Sequence, residues 1–141
     1  MKNYAFQDLP QEMQEIILEL NKSTSKKECL KKAYDAMISR YRGHRWATIT
    51  HLSNLFDYDP ESLWNKKILI CTNINHLMKI LLINSKFFEE KDVEKKWTLI
   101  WFFSPHQYLR VHLENPGHIN VDVWGKAYGV KFGEYSHGFK H

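Results

Sequence analysis

Three side chains of this 141-residue chain have the types and the order that thiol catalysis requires: Cys71, His106 and Asp122. A thiol becomes a nucleophile when a neighbouring base takes its proton, and the base needs a third group that fixes its tautomer and stabilises its charged form. A free thiol is only a few per cent ionised at neutral pH, and a helix N-terminus or an adjacent imidazolium raises that fraction. The hypothesis therefore depends on elements that bring three distant side chains together.

Cys71 lies where an amphipathic helix is predicted to begin. From Thr72 to about Phe88 the apolar residues recur with the helical period, and Cys71 is at the head of their stripe. The other cysteine, Cys29, lies beside the apolar stripe of an earlier helix and is predicted to be structural. Further helices are predicted over residues 9–21, 26–42, 46–56 and 60–64.

After Lys96 the hydrophobic period changes to two, which is typical of strands. Strands are predicted over residues 97–103, 106–113 and 118–124, with a further short strand within 125–132. Helices followed by antiparallel strands indicate an α+β fold. We expect the helices, including the one that bears Cys71, to pack on a small antiparallel sheet that carries His106 and Asp122.

Hydrophobic matching predicts how the last two strands pair. The apolar positions of both strands are odd-numbered, as at Leu109 and Val121, so odd residues must pair with odd residues. A connecting loop of three or five residues produces this register. The register places His106 and Asp122 on one face at neighbouring positions, so the sheet itself brings the base to its orienting carboxylate.

The composition is that of one globular domain, with 43% hydrophobic residues, 26% charged residues and a net charge of +4. No apolar run approaches the roughly 20 residues of a membrane span, no secretory signal is visible at the N-terminus, and two cysteines cannot form a disulfide framework. We expect a cytoplasmic protein with a single domain over residues 1–141, divided into a helical extension (1–24), a core (25–132) and an aromatic tail (133–141).

This arrangement of residues resembles the transglutaminase-like superfamily of papain-like cysteine enzymes. The matching segments are residues 71–73 (CTN), 106–111 (HQYLRV) and 119–124 (INVDVW). The resemblance covers about residues 30–132 and implies a small single-domain member in which Cys71 is the nucleophile, His106 the base and Asp122 the orienting group. It also implies attack on an amide bond of a peptide or protein through a thioacyl-enzyme. We expect hydrolysis before transamidation, without a cofactor.

The sequence leaves open how the oxyanion would be stabilised. The backbone N–H of Cys71, at the helix start, is the first candidate donor. Candidates for a second donor or for the substrate groove are Trp64, Asn73, Gln107, Tyr108 and Trp124.

Two functions without catalysis are alternatives. The domain can be a catalytically silent binding module that retains the fold. A basic stretch can also attract nucleic-acid phosphates; its members are Lys22, Lys26, Lys27, Lys31, Lys32, Arg40, Arg42 and Arg45. No nucleic-acid-binding motif accompanies this stretch, so nucleic acid is not the expected partner.

Eight histidines raise the alternative of a zinc site. Cys71 and His76 are five residues apart, a spacing that puts them on different faces of a helix. His106 and His112 share a strand face but lie about 20 Å apart, and adding His118 does not close that gap. No metal is therefore expected.

Overall fold

The computed structural model describes residues 4–46, 50, 55–114 and 117–139. Its α-helices are α1 (Gln11–Leu20), α2 (Lys26–Arg40), α3 (Pro60–Trp64) and α4 (Cys71–Ile83). Its strands are β1 (Val93–Ile100), β2 (Ser104–His112) and β3 (His118–Val121), which form an antiparallel sheet in the order β1-β2-β3. Short 3-10 turns occupy Phe6–Asp8, Glu90–Asp92 and Trp124–Tyr128. The described residues thus form an α+β fold, as predicted.

The central element is α4, which packs against α2 on one side and against β2 on the other. Its side chains are buried continuously from Asn73 to Leu82, because the helix is covered on more than one face. Complete burial of an aliphatic side chain such as Leu77 contributes roughly 1.5–3 kcal/mol to stability. Within the described ranges, no helix combines the length and the apolar composition needed to cross a membrane.

The strand register agrees with the one predicted from hydrophobic matching. Leu109 pairs with Val121 and Val111 pairs with Ile119, so odd-numbered residues face odd-numbered residues. Leu109, Val111 and Val121 are completely buried, which explains why a shift by one residue would be costly. The pairing ends at His112, and a connection of odd length, residues 113–117, leads to β3. This part of the prediction is confirmed.

The first hairpin differs from the prediction. We expected a strand over residues 97–103 that Ser104 and Pro105 would interrupt, but β1 ends at Ile100 and these two residues begin β2. The chain reverses at Trp101 and Phe102, which have φ angles of 53° and 63°. Residues that carry a side chain rarely adopt this left-handed backbone conformation. The sequence therefore contains no pattern that predicts the turn.

Three other predicted boundaries differ from the observed ones. The predicted Thr72–Phe88 helix stops at Ile83, where the Asn84 side chain donates to a carbonyl of the last turn. The strand predicted over residues 118–124 ends at Val121. The predicted fourth strand is replaced by the 3-10 turn and an isolated bridge between Asn120 and Gly133.

Among the two shorter helical predictions, the one over residues 60–64 is confirmed as α3. Asp59 caps that helix by accepting a hydrogen bond from the Ser62 backbone N–H at 2.8 Å, and Pro60 occupies its first turn, where no N–H is needed. Most of the helix predicted over residues 46–56 lies outside the described residues.

Candidate active site

Cys71 is the first residue of α4 and is half-buried. The preceding residue, Ile70, has an extended backbone and a side chain that cannot accept a hydrogen bond. The helix therefore begins without a side-chain cap from its N-cap residue, and the partial positive charge of its free N–H groups is available to a negative charge at this position. A thiolate on Cys71 would lie at that end of the helix.

His106 and Asp122 form the second part of the site. The imidazole Nε2 lies 2.8 Å from Asp122 Oδ2, and both residues are 2% exposed. Since an ionised carboxylate can only accept, Nε2–H donates this bond. The prediction that the strand register brings these two side chains together is confirmed.

The Asp122 carboxylate is held by backbone amides as well as by His106. The Gly125 N–H donates to Oδ1 and the Ser136 N–H donates to Oδ2, each at 2.8 Å. Burial raises the pKa of this carboxyl group, but the hydrogen bond and charge of His106 and the two amide donors lower it further, so the net shift is downward. Asp122 is therefore ionised and fixed in position.

Cys71 completes the arrangement: it lines the same cleft as His106 and lies close enough to influence the titration of the imidazole. Because Nε2 is engaged by Asp122, Nδ1 is the ring nitrogen left to serve the thiol. Burial lowers the pKa of the imidazole, but the hydrogen bonds and negative charges of Asp122 and Cys71 outweigh it and raise the pKa to about 9. The surroundings thus favour an imidazolium beside the sulfur atom, which is the pairing that a thiolate nucleophile requires.

At position 125, beside Asp122, only glycine fits without a shift of the neighbouring atoms. A Cβ atom at this position would lie 2.5 Å from Ser136 Oγ and 2.6 Å from Asp122 Oδ2, well inside van der Waals contact. Gly43 is similarly required, because its Cβ would collide with the backbone carbonyl of Trp124. Sequence reasoning missed Gly125 and Ser136 as site residues, since a donor that is a backbone N–H leaves no signature in the side chains.

A cleft of about 470 Å³ opens beside the thiol and the imidazole. Its lining consists mainly of aromatic and apolar side chains: Arg45, Trp46, Cys71, Ile100, Trp101, Phe103, Ser104, Pro105, His106 and Trp124. The volume falls within the range of ligand-binding clefts, about 300–1,000 Å³. Trp124 forms the wall next to the base, with its ring centroid 4.9 Å from that of His106.

Trp124 is the member of the predicted groove set that lines this cleft. Trp64 does not: its indole N–H donates to Glu12 at 2.8 Å, beside α1. Tyr108 is buried against Tyr135, with ring centroids 4.1 Å apart. Stacking of these rings packs Tyr135, in the C-terminal tail, against β2.

The two polar side chains of the predicted groove set also point elsewhere. Asn73 donates to the Asp57 carbonyl at 3.2 Å. Gln107 is buried, and its backbone carbonyl accepts a bond from Asn75 Nδ2 at 2.7 Å, which joins α4 to β2. Neither residue lines the cleft in the described part of the chain. The backbone N–H of Cys71 therefore remains the first candidate donor to an oxyanion.

Two histidines of the zinc alternative have protein partners. His76 Nε2 lies 3.0 Å from the Tyr58 carbonyl, and His112 Nε2 lies 2.7 Å from Glu94. Over residues 4–46, 50, 55–114 and 117–139, no group of three His, Cys, Asp or Glu side chains is arranged to hold a metal ion.

The geometry of the cleft is the basis for inferring function. Comparisons of the chain with models of protein families, with curated proteins and with solved structures found no match.

Proposed function

We propose that this protein is a transglutaminase-like cysteine enzyme that cleaves amide bonds through a thioacyl intermediate. The observation that carries the proposal is the convergence of Cys71, His106 and Asp122: a thiol at a helix start lines the same cleft as an imidazole whose Nε2 lies 2.8 Å from a buried carboxylate. Each group has the partner that its role in nucleophilic catalysis needs.

The first half of the reaction transfers an acyl group to sulfur. The Cys71 thiolate attacks the amide carbonyl carbon, and the carbonyl electron pair moves to oxygen, near the backbone N–H of Cys71. His106, which holds the former thiol proton, gives it to the leaving nitrogen as the C–N bond breaks. An amine departs and the acyl group stays on sulfur as a thioester.

The second half returns the enzyme to its starting form. A water molecule loses a proton to His106 while its oxygen attacks the thioester carbonyl, and collapse of the intermediate releases a carboxylic acid and the Cys71 thiolate. An amine in place of water would give transamidation. Hydrolysis is our choice between the two, because water needs no second binding site.

Asp122 has no direct part in bond making. It accepts the Nε2–H of His106, which fixes the tautomer and stabilises the imidazolium in both halves of the reaction. Its three hydrogen bonds, from His106, Gly125 and Ser136, keep it from rotating. This role needs the rigid and buried setting that the 3-10 turn and the C-terminal tail provide.

Acyl trapping tests the proposal. The purified protein is mixed with 4-nitrophenyl acetate, a reactive acyl donor, and the nitrophenolate burst and the mass of the quenched protein are recorded. We expect one acetyl group on Cys71, no acetylation of that site in Cys71→Ala, and slow acetylation in His106→Ala. Cys29→Ala is the matched control and should behave as the wild type. Acetylation confined to lysines would contradict the proposal.

A silent binding domain is the second candidate, and the exposed aromatic side chains near the cleft favour it. Trp97, Phe102, Phe103 and Phe139 each expose more than half of their accessible surface. Such a patch is typical of an interaction surface. A protein of this kind would fail the acyl-trapping experiment.

The charges on and near α1 and α2 argue against the nucleic-acid alternative. Five basic side chains of the stretch are paired with carboxylates, in Lys22–Glu19, Lys26–Asp92, Lys31–Asp35, Lys32–Glu28 and Arg40–Glu12. Neutralised pairs attract phosphates weakly. A steep salt dependence of DNA or RNA binding that Cys71→Ala leaves intact would restore this alternative.

A further inference from the structure

One side of the catalytic cleft carries a stacked guanidinium. The Arg45 Cζ atom lies 4.9 Å from the ring centroid of Trp101 and 4.7 Å from that of Tyr128. Among the described residues, no Asp or Glu side chain forms an ion pair with Arg45. The cleft lining itself contains no acidic residue. The cleft is therefore apolar with one permanent positive charge.

Arg40 shows what a completed site of this kind looks like in the same protein. Its guanidinium stacks 4.2 Å from the ring centroid of Trp64, and its Nη1 donates to Glu12 at 2.7 Å. The same Glu12 oxygen accepts the Trp64 indole N–H at 2.8 Å. The pair of arginine and aromatic ring is thus combined with a carboxylate. At Arg45 the arginine and the rings are present, and the described chain supplies no carboxylate.

The position of Arg45 is fixed by the surrounding structure. Its backbone N–H donates to the Tyr128 hydroxyl at 2.9 Å, and that hydroxyl donates to the Gly43 carbonyl at 3.2 Å. Trp101 adopts a left-handed backbone conformation, and its N–H donates to the Gly138 carbonyl at 2.6 Å. This bond to the C-terminal tail holds Trp101 in its sparsely populated backbone conformation.

We infer that the substrate of this cleft carries a carboxylate next to an aromatic or other apolar side chain, with the carboxylate on Arg45 and the apolar group against Trp46, Trp101 and Phe103. The inference rests on the proposed function, because it names the class of amide that would reach Cys71. In peptides this carboxylate has two sources, an acidic side chain and the C-terminus.

The chemistry of the guanidinium supports a carboxylate as the anion. With rings beside it, the guanidinium offers its in-plane N–H groups, which match the two oxygens of a carboxylate. One cation balances one carboxylate charge. The apolar lining provides contact area for an aromatic side chain.

Protection of Cys71 from iodoacetamide tests the inference without requiring turnover. Two matched peptide pairs serve as protectants: acetyl-Phe-Asp-amide with acetyl-Phe-Asn-amide for a side-chain carboxylate, and acetyl-Phe-Gly with acetyl-Phe-Gly-amide for a terminal one. Mass spectrometry gives the concentration that halves the alkylation rate. We expect the acidic member of one pair to protect at about tenfold lower concentration, and the pair that shows the difference identifies the source.

Variants of the arginine decide whether Arg45 causes the preference. Arg45→Gln should abolish the tenfold difference, and Arg45→Lys should retain part of it because the charge remains and the planar fork is lost. Arg42→Gln, an exposed arginine outside the cleft lining, is the matched control and should retain the full difference. Equal protection by both members of each pair, or a preference that survives Arg45→Gln, would overturn the inference.

Failure of the inference about the substrate carboxylate is distinguishable from failure of the proposed function. Acetyl transfer from 4-nitrophenyl acetate involves no carboxylate, so it reports on Cys71 and His106 alone. A protein that acetylates Cys71 but shows no acid preference keeps the proposed function and loses this inference.

Discussion

The two cysteines of this protein lie on helices that pack against one another, yet their surroundings differ in every respect that governs reactivity. Cys29 lies within α2, is completely buried, and has the Ser85 hydroxyl 3.7 Å from its sulfur. Burial raises the pKa of the Cys29 thiol more than the hydrogen bond with Ser85 lowers it. Cys71 is the first residue of α4 and lines a cleft together with His106.

The difference predicts that thiol reactivity in this protein follows position and not residue type. A cysteine in the middle of a helix contributes a small apolar side chain to the core. A cysteine at the first position of a helix is close to unsatisfied N–H groups and reaches past the helix end. Only the second position can meet an imidazole that is held by another element.

The largest effect should appear in alkylation rates. At pH 7 in the native protein, iodoacetamide should modify Cys71 at least about 1,000 times faster than Cys29, because Cys29 reacts only when the protein opens. Peptide mass mapping over time gives both rates. His106→Ala should slow the alkylation of Cys71 but not that of Cys29, because the rate at Cys29 depends on opening of the protein. Similar alkylation rates of the two thiols in the folded protein would contradict the prediction that position governs their reactivity.

The next largest effect should appear in the pH dependence of the free energy of unfolding. The pKa of His106 is about 9 in the folded protein and 6.5 in the reference state, so folding binds this proton more tightly. The stabilisation is fully present below about pH 6.5 and is lost as the pH rises through 9. It amounts to about 3 kcal/mol. Urea unfolding between pH 6 and 10 should show this fall, and Asp122→Asn should flatten it.

His112 offers a matched control for the pH experiment. It also contacts a carboxylate, Glu94 at 2.7 Å, but its side chain is 42% exposed. His112→Gln should therefore leave the pH dependence of the free energy of unfolding nearly unchanged. If His112→Gln abolished the pH dependence of the free energy of unfolding, that dependence could not be assigned to the buried pair of His106 and Asp122.

A smaller effect is expected from Gly125→Ala, which keeps all three side chains of the candidate site. The added methyl group would contact Asp122 and Ser136, and its accommodation should cost about 2 kcal/mol of unfolding free energy. The displaced carboxylate should also slow alkylation of Cys71 but not of Cys29. Gly129→Ala is the control: its Cβ meets open space, so it strains the backbone at a φ of 87° without touching the site.

The smallest effect should come from Cys29→Ala. Removal of one buried sulfur atom should cost about 1 kcal/mol of stability. The alkylation rate of Cys71 should not change, because α2 holds no part of the site. Calorimetry and the same mass-mapping assay measure the two quantities. A change in Cys71 reactivity would show that the two helices are coupled.

Part of the candidate site was predictable because it depends on local periodicity. The apolar stripe that begins at Cys71 predicted the helix start, and odd-to-odd matching predicted the register that joins His106 to Asp122. Both signals come from residues that are neighbours in one helix or in one hairpin, where spacing along the chain fixes spacing in space.

Only the tertiary structure decided the contacts between elements that are distant in the sequence. The start of α4 meets the sheet at His106 because the core packs that way, and no period in the sequence encodes it. The backbone N–H of Ser136, the space beside Gly125 and the left-handed turn at Trp101 left no pattern either. Backbone donors, free volume and φ angles are set by packing over the whole chain, so these features could be found only in three dimensions.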